Sequence, residues 1–141
     1  GVDKQLKAQM SAAGKQVFGL ETAEQQMRFL ADMPQEVQLD FLRSAMRDAD
    51  KGPTQLIRLI DAWKNGDVAT IARLEDEDMR QTAPELYQRL LVQRNEAWAT
   101  KIAALLQQPG TVFIAVGAAH LAGPDSVQAQ LHKLGIEAAR Q

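Results

Sequence analysis

From Thr22 to about residue 108 every strong apolar pattern repeats with the helical period, and each side of that stretch carries one short apolar run without alternation. The runs are QVFGLE at 16–21 and TVFIAVG at 111–117. Runs of this length, bounded by turn residues, suit strands covered on both faces, and strands joined through a long helical segment pair in parallel. The expected fold is therefore α/β: a small, mostly parallel sheet with a large helical insertion between its strands. Val17 to Leu20 and Val112 to Val116 are its predicted parallel neighbours, and Ile136 to Arg140 could add a third strand at the edge.

The helical part is punctuated at readable places. Val2, Leu6, Met10 and Ala13 share one face, and Gly14 follows where a left-handed cap would stand. Thr22 and Gln25 have capping-box spacing. Pro34 and Pro53 occupy first-turn positions, ahead of the faces Val37/Phe41/Leu42/Ala45/Met46 and Leu56/Ile57/Ile60/Trp63. Asn65 and Gly66 end one helix, and Asp67 can cap the next. Pro84 opens the longest helix, whose stripe reads Tyr87, Leu91, Arg94, Trp98, Ile102 and Leu105 before Pro109 and Gly110 stop it. Val127, Leu131 and Leu134 form one further helical face, closed by Gly135.

With 141 residues, 45% of them hydrophobic, one domain spanning 1–141 is the expectation. The formal charge of -2 is spread along the chain without a basic stripe, which argues against a nucleic-acid partner. The longest apolar run is far below the roughly 20 residues of a bilayer span. Absence of cysteine excludes disulfides, thiolate metal sites and thiol catalysis. Because a helical pattern begins at Gly1 without a cap, the chain is expected to be part of a longer polypeptide, truncated at its N-terminus.

Glu21 and His120 stand at the carboxyl ends of the two predicted strands, where open parallel sheets collect ligands. A carboxylate and an imidazole together can bind a divalent ion or work as an acid/base pair, whereas separately Glu21 suits a helix first turn and His120 a hydrogen-bonded loop. Arg94 is a guanidinium on an apolar stripe, so it needs an acceptor or a water-filled site, unless its stem runs past Trp98 to solvent. His132 lies off the Val127/Leu131 face and reads as solvated, while Met27, Met33 and Met46 read as core filler. The acidic run at 75–78 lacks the glycine and ligand spacing of a calcium loop and reads as a solvated helix end.

Three segments taken together resemble the TraB/GumN (Tiki-like) family: VFGLET at 17–22 followed by Glu24 and Gln25, LLVQRN at 90–95 with Trp98, and VGAAHL at 116–121 with Gly123 and Pro124. Their order and separation match as well, so the resemblance covers essentially the whole chain. The family pattern has two Gly-X-X-His motifs. Only the second is present, at Gly117 to His120, and the first would lie upstream of Gly1.

The resemblance implies a fold similar to erythromycin esterase and ChaN-like proteins. It also implies a metal-dependent hydrolase, peptidase-like in the Tiki branch, while the PrgY branch is linked to inhibition of a peptide pheromone. By the same resemblance Glu21 and His120 become candidate ligands of a divalent ion (manganese, cobalt or zinc) and, with Arg94, candidate catalytic residues. Arg94 and Asn95 become candidate substrate contacts. The implied partner is a peptide or small-molecule substrate, and the implied location is extracytoplasmic. With one motif missing, a single copy cannot complete the family site, so the chain alone is expected to be inactive and prone to homo-oligomerisation or domain swapping. The competing function is a module that sequesters a peptide or small ligand without cleaving it.

Arg94 generates the sharpest expectation, with Glu21 its favoured partner. Arg94→Met should leave a folded protein destabilised by a few kcal/mol in denaturant titration, since it strands a buried partner. Arg94→Lys in the full-length protein should keep most of that stability and lose activity, because an ammonium cannot reproduce bidentate geometry. Full activity with lysine would reduce Arg94 to a charge without a site role.

Overall fold

A computed structural model describes residues 2–48 and 52–141. Helix α1 (Val2–Ala12) ends at Gly14 with φ +67, and α2 (Ala23–Ala31) starts from the Thr22/Gln25 capping box, both of whose bonds form. Helices α3 (Gln35–Asp48) and α4 (Gly52–Lys64) begin around Pro34 and Pro53. The Asp67 side chain takes the Thr70 N–H at the start of α5 (Val68–Ala72). A wide π turn, Arg73–Glu77, leads into α6 (Asp78–Thr82). Helix α7 (Pro84–Tyr87) runs through a second π turn, Gln88–Val92, directly into α8 (Gln93–Leu106). A 3₁₀ turn at Ala118–Leu121 and helix α9 (Val127–Lys133), capped by Ser126, complete the order.

The sheet does not form. Among the described residues there is no strand, so the α/β expectation with its parallel sheet gives way to a helical architecture. Residues 16–20 and 111–116 have no regular secondary structure and make no backbone ladder with each other, and residues 136–140 make none either. The physical reason is that an apolar run needs only an apolar surface to lie on, whereas a strand needs a neighbour for its N–H and C=O groups. These runs find the surface: Leu20, Ile114, Val116 and Ile136 pack against Trp98, Ala99, Ile102, Val127 and Leu131 of α8 and α9. Other residues of the same runs remain open, Phe18 at 57% and Phe113 at 74% exposure.

The interior consists of that cluster and two smaller ones. Ala62, Ile71 and Ala122 join α4, α5 and the loop after the 3₁₀ turn, and Tyr87, Leu91 and Val92 sit under Met79 and Ala119. The faces expected to be buried on α3 and α4 are largely solvent-exposed, among them Leu42, Met46, Ile57 and Trp63. Met33 is buried as core filler, but Met27 and Met46 are not.

Asp76 departs from the reading of its segment as a solvated helix end. It lies in the π turn at 3% exposure, and neither carboxylate oxygen has a hydrogen-bond partner among the described residues. One oxygen lies where a Cβ on Gly123 would stand, 2.7 Å away, so a side chain at 123 is excluded both by this contact and by the φ of +73. Burial, and then the charges of Glu75 and Asp125, push the Asp76 carboxyl up to about 7.

Two expectations follow from these exposures. With so much apolar surface and so many unladdered backbone groups open, the 141-residue chain should self-associate: light scattering should show a mass that rises with concentration, and Phe113→Lys should lower it. A monomer at every concentration would defeat this. For Asp76 the folded-state pKa is raised, so its contribution to stability is complete below 3.8 and is lost as pH rises through about 7. Asp76→Asn should therefore flatten the decline in melting temperature between pH 4 and 8. An unchanged slope would mean that the carboxyl ionises without cost.

Candidate functional site

Helix α8 supplies the centre of the site. Arg94 and Asn95 are adjacent and so point about 100° apart around the helix, while Trp98 lies one turn on from both and stands between them. The π turn just before α8, closed by the Gln93 N–H on the Gln88 carbonyl, helps to turn this triad toward the irregular segments on either side. The wide turn has no apolar-period signature that sequence reasoning could have caught.

On one flank Arg94 holds Glu21. Nε and Nη2 donate to the two Glu21 oxygens at 2.9 and 3.0 Å, and Nη1 donates to the Leu90 carbonyl at 3.0 Å. The Glu21 side chain is 6% exposed and that of Arg94 19%. The guanidinium also stacks between aromatic rings, 5.4 Å from the centre of Phe29 and 5.0 Å from that of Trp98. Gly19 permits the tight bend that delivers Glu21, since a Cβ there would meet the Glu21 carbonyl at 2.7 Å. Lys101 ties the same bend down through the Leu20 carbonyl.

On the other flank Asn95 holds His120. Asn95 is fully buried; its Nδ2 donates to the Asp125 carbonyl at 2.8 Å, which leaves Oδ1 as the acceptor 2.6 Å from His120 Nδ1. The imidazole therefore carries its proton on Nδ1 and presents the Nε2 lone pair. Burial, followed by the nearby Arg94 charge, pulls the His120 pKa down to about 4, against a smaller opposing effect of Glu21. The His120 ring lies 4.4 Å from that of Trp98. The loop that carries it is anchored from behind, where Tyr87 donates its hydroxyl to Asp125 at 2.8 Å. Burial and that acceptor raise the Tyr87 pKa, keeping the phenol protonated.

Glu21, Arg94, Asn95 and His120 are thus gathered around one indole. Asn95 stands as the residue that fixes the His120 tautomer. The sequence reading missed Asp125 and Tyr87; Tyr87 had been placed on a core stripe, and nothing in its spacing marked a hydroxyl with a partner 38 residues away. His132 is solvated as expected and pairs with Glu137 at 2.8 Å. Among the described residues no group of three or more His, Cys, Asp or Glu side chains is arranged to hold a metal ion. None of their helices is long and apolar enough to cross a membrane.

Comparison with known proteins agrees with the quoted motifs. The uncharacterized protein YbaP of Escherichia coli (strain K12) is 31% identical over 136 residues, which cover 93% of this chain and 47% of that protein, and YbaP of Shigella flexneri matches to the same extent. The chain thus spans about half the length of the curated relatives it matches. No solved structure is significantly similar. Residues 1–140 match the TraB/PrgY/gumN family, and the chain belongs to that family.

Proposed function

We propose that this chain carries the imidazole-bearing part of a hydrolytic site, peptidase-like, in a protein that acts outside the cytoplasm. The observation that supports it is the His120 side chain: neutral, held by Asn95 at 2.6 Å, with Nε2 as its open nitrogen. Such a nitrogen can take a proton from water attacking a carbonyl, or serve as a metal ligand. Arg94, with most of its donors committed, contributes positive charge beside it rather than a free fork for substrate.

A divalent ion is part of this proposal through the family resemblance alone. The described residues do not by themselves fit one, because both oxygens of Glu21 accept from Arg94 and one imidazole nitrogen is a poor coordination shell. What the chain's own residues do is orient the imidazole, keep it dry and hold the neighbouring loop. The same commitment of Glu21 favours a second reading, in which the protein binds a peptide or small ligand without cleaving it.

The full-length protein separates these readings. Metal content and hydrolysis of a peptide library are measured for wild type and His120→Ala, and both should fall in the variant, activity by at least about a hundredfold. If hydrolysis falls while metal stoichiometry holds, His120 is a base and not a ligand. If the wild type binds peptides and cleaves none, with or without added manganese, cobalt or zinc, the hydrolase reading fails and the binding module stands.

A further inference from the structure

A cavity of about 330 Å³ opens between α2 and α8 on the Arg94 flank of Trp98, near the small end of the roughly 300–1,000 Å³ usual for ligand pockets. Leu20, Phe29 and Trp98 give it apolar walls, and Arg28, Arg89 and Lys101 stand on its lining. The charges do not cancel. Of the two acids on the lining, Glu21 is consumed by Arg94, and Asp32 faces three cations alone.

The cations are also unequally committed. Arg28 pairs with Glu24 at 3.1 Å, and Arg89 with Glu85 at 3.5 Å and with the Asp32 carbonyl at 3.3 Å. Those carboxylate pairs are partly or largely solvent-exposed and hold their partners weakly. Lys101 donates to the Leu20 carbonyl and has no ion pair among the described residues, so its ammonium keeps donors available at the mouth. Trp98 turns its ring to this cavity while its indole N–H is buried and has no acceptor among the described residues.

We infer that this cavity binds a carboxylate carried on an apolar group, with the apolar part against Phe29 and Trp98 and the carboxylate at Lys101. A short peptide ending in a free carboxylate after an aromatic residue has this chemistry at this size. The inference goes beyond the hydrolytic reading by naming a ligand class, and it rests on that reading only in treating Trp98 as a wall shared with the His120 centre. Binding needs no cleavage.

The test uses the 141-residue chain, calorimetry, and N-acetyl-Ala-Phe with either a free carboxylate or a carboxamide. The acid should bind about tenfold more tightly than the amide, and Lys101→Met should erase that preference while leaving the amide unchanged. Trp63→Phe leaves Trp98 as the sole indole, whose fluorescence should change on binding. Lys101→Gln replaces the methionine variant if circular dichroism shows that it misfolds. Equal binding of acid and amide, no binding of either, or an acid preference that survives loss of Lys101 would each overturn the inference. So would inorganic phosphate binding as tightly as the acid, which would make the cavity a plain anion site. This binding experiment reads no hydrolysis, and the hydrolytic reading is tested on cleavage by the full-length protein, so failure of one and failure of the other are read separately.

Discussion

The fork between Arg94 and Glu21 joins two parts of the chain 73 residues apart. Two parallel charge-assisted bonds fix the segment before α2 to the first turn of α8, and a third bond to Leu90 fixes the guanidinium to its own helix. Taking both charges out of water costs several kcal/mol, which the short bonds and the two aromatic faces offset. Loss of either partner leaves a buried charge alone. The pair therefore contributes position more than net stability: with Lys101 on the Leu20 carbonyl, it decides where the 16–22 segment lies although no ladder holds it.

Arg94 also acts on the other flank through space. Its positive charge joins burial in keeping His120 neutral, and a neutral imidazole is what allows Asn95 Oδ1 to set the tautomer by one bond. Asn95 in turn depends on the Asp125 carbonyl, and Asp125 on the Tyr87 hydroxyl, so the orientation of one imidazole traces back to α7. Asp76 lies beneath that loop with two oxygens unpaired, pressed against Gly123. Its raised pKa and the lowered pKa of His120 oppose each other in the weakly acid range: the first favours the folded state as pH falls, the second as pH rises.

Local chemistry was the legible part of the sequence. The Thr22 capping box, the Asp67 cap, the stops at Gly14 and Gly66, and the Tyr87/Leu91/Trp98/Ile102 face all depend on neighbours within one or two turns, and all are present. The conflict between a guanidinium and an apolar stripe pointed correctly to Glu21. What failed required partners at a distance. An apolar run of five residues has the same letters whether it is laddered or merely laid on helices, which is why Val112 to Val116 was read as a strand. The two π turns were equally invisible: one carries Asp76, the other precedes Arg94, Asn95 and Trp98 on the adjoining helix, and neither changes the spacing of apolar residues enough to show.

Glu21 sets the condition under which any metal chemistry could arise at this centre. To ligate an ion it would have to give up two bonds of 2.9 and 3.0 Å, leaving Arg94 with the Leu90 carbonyl and two aromatic faces as its only company. Losing those bonds would strand a partly buried guanidinium unless another anion took the place of Glu21. A substrate carboxylate is one such anion. The cavity cations and the Glu21–Arg94 fork therefore belong to one electrostatic problem: negative charge brought in beside Trp98 would compete with Glu21 for Arg94, and Glu21 already acts on His120 through space.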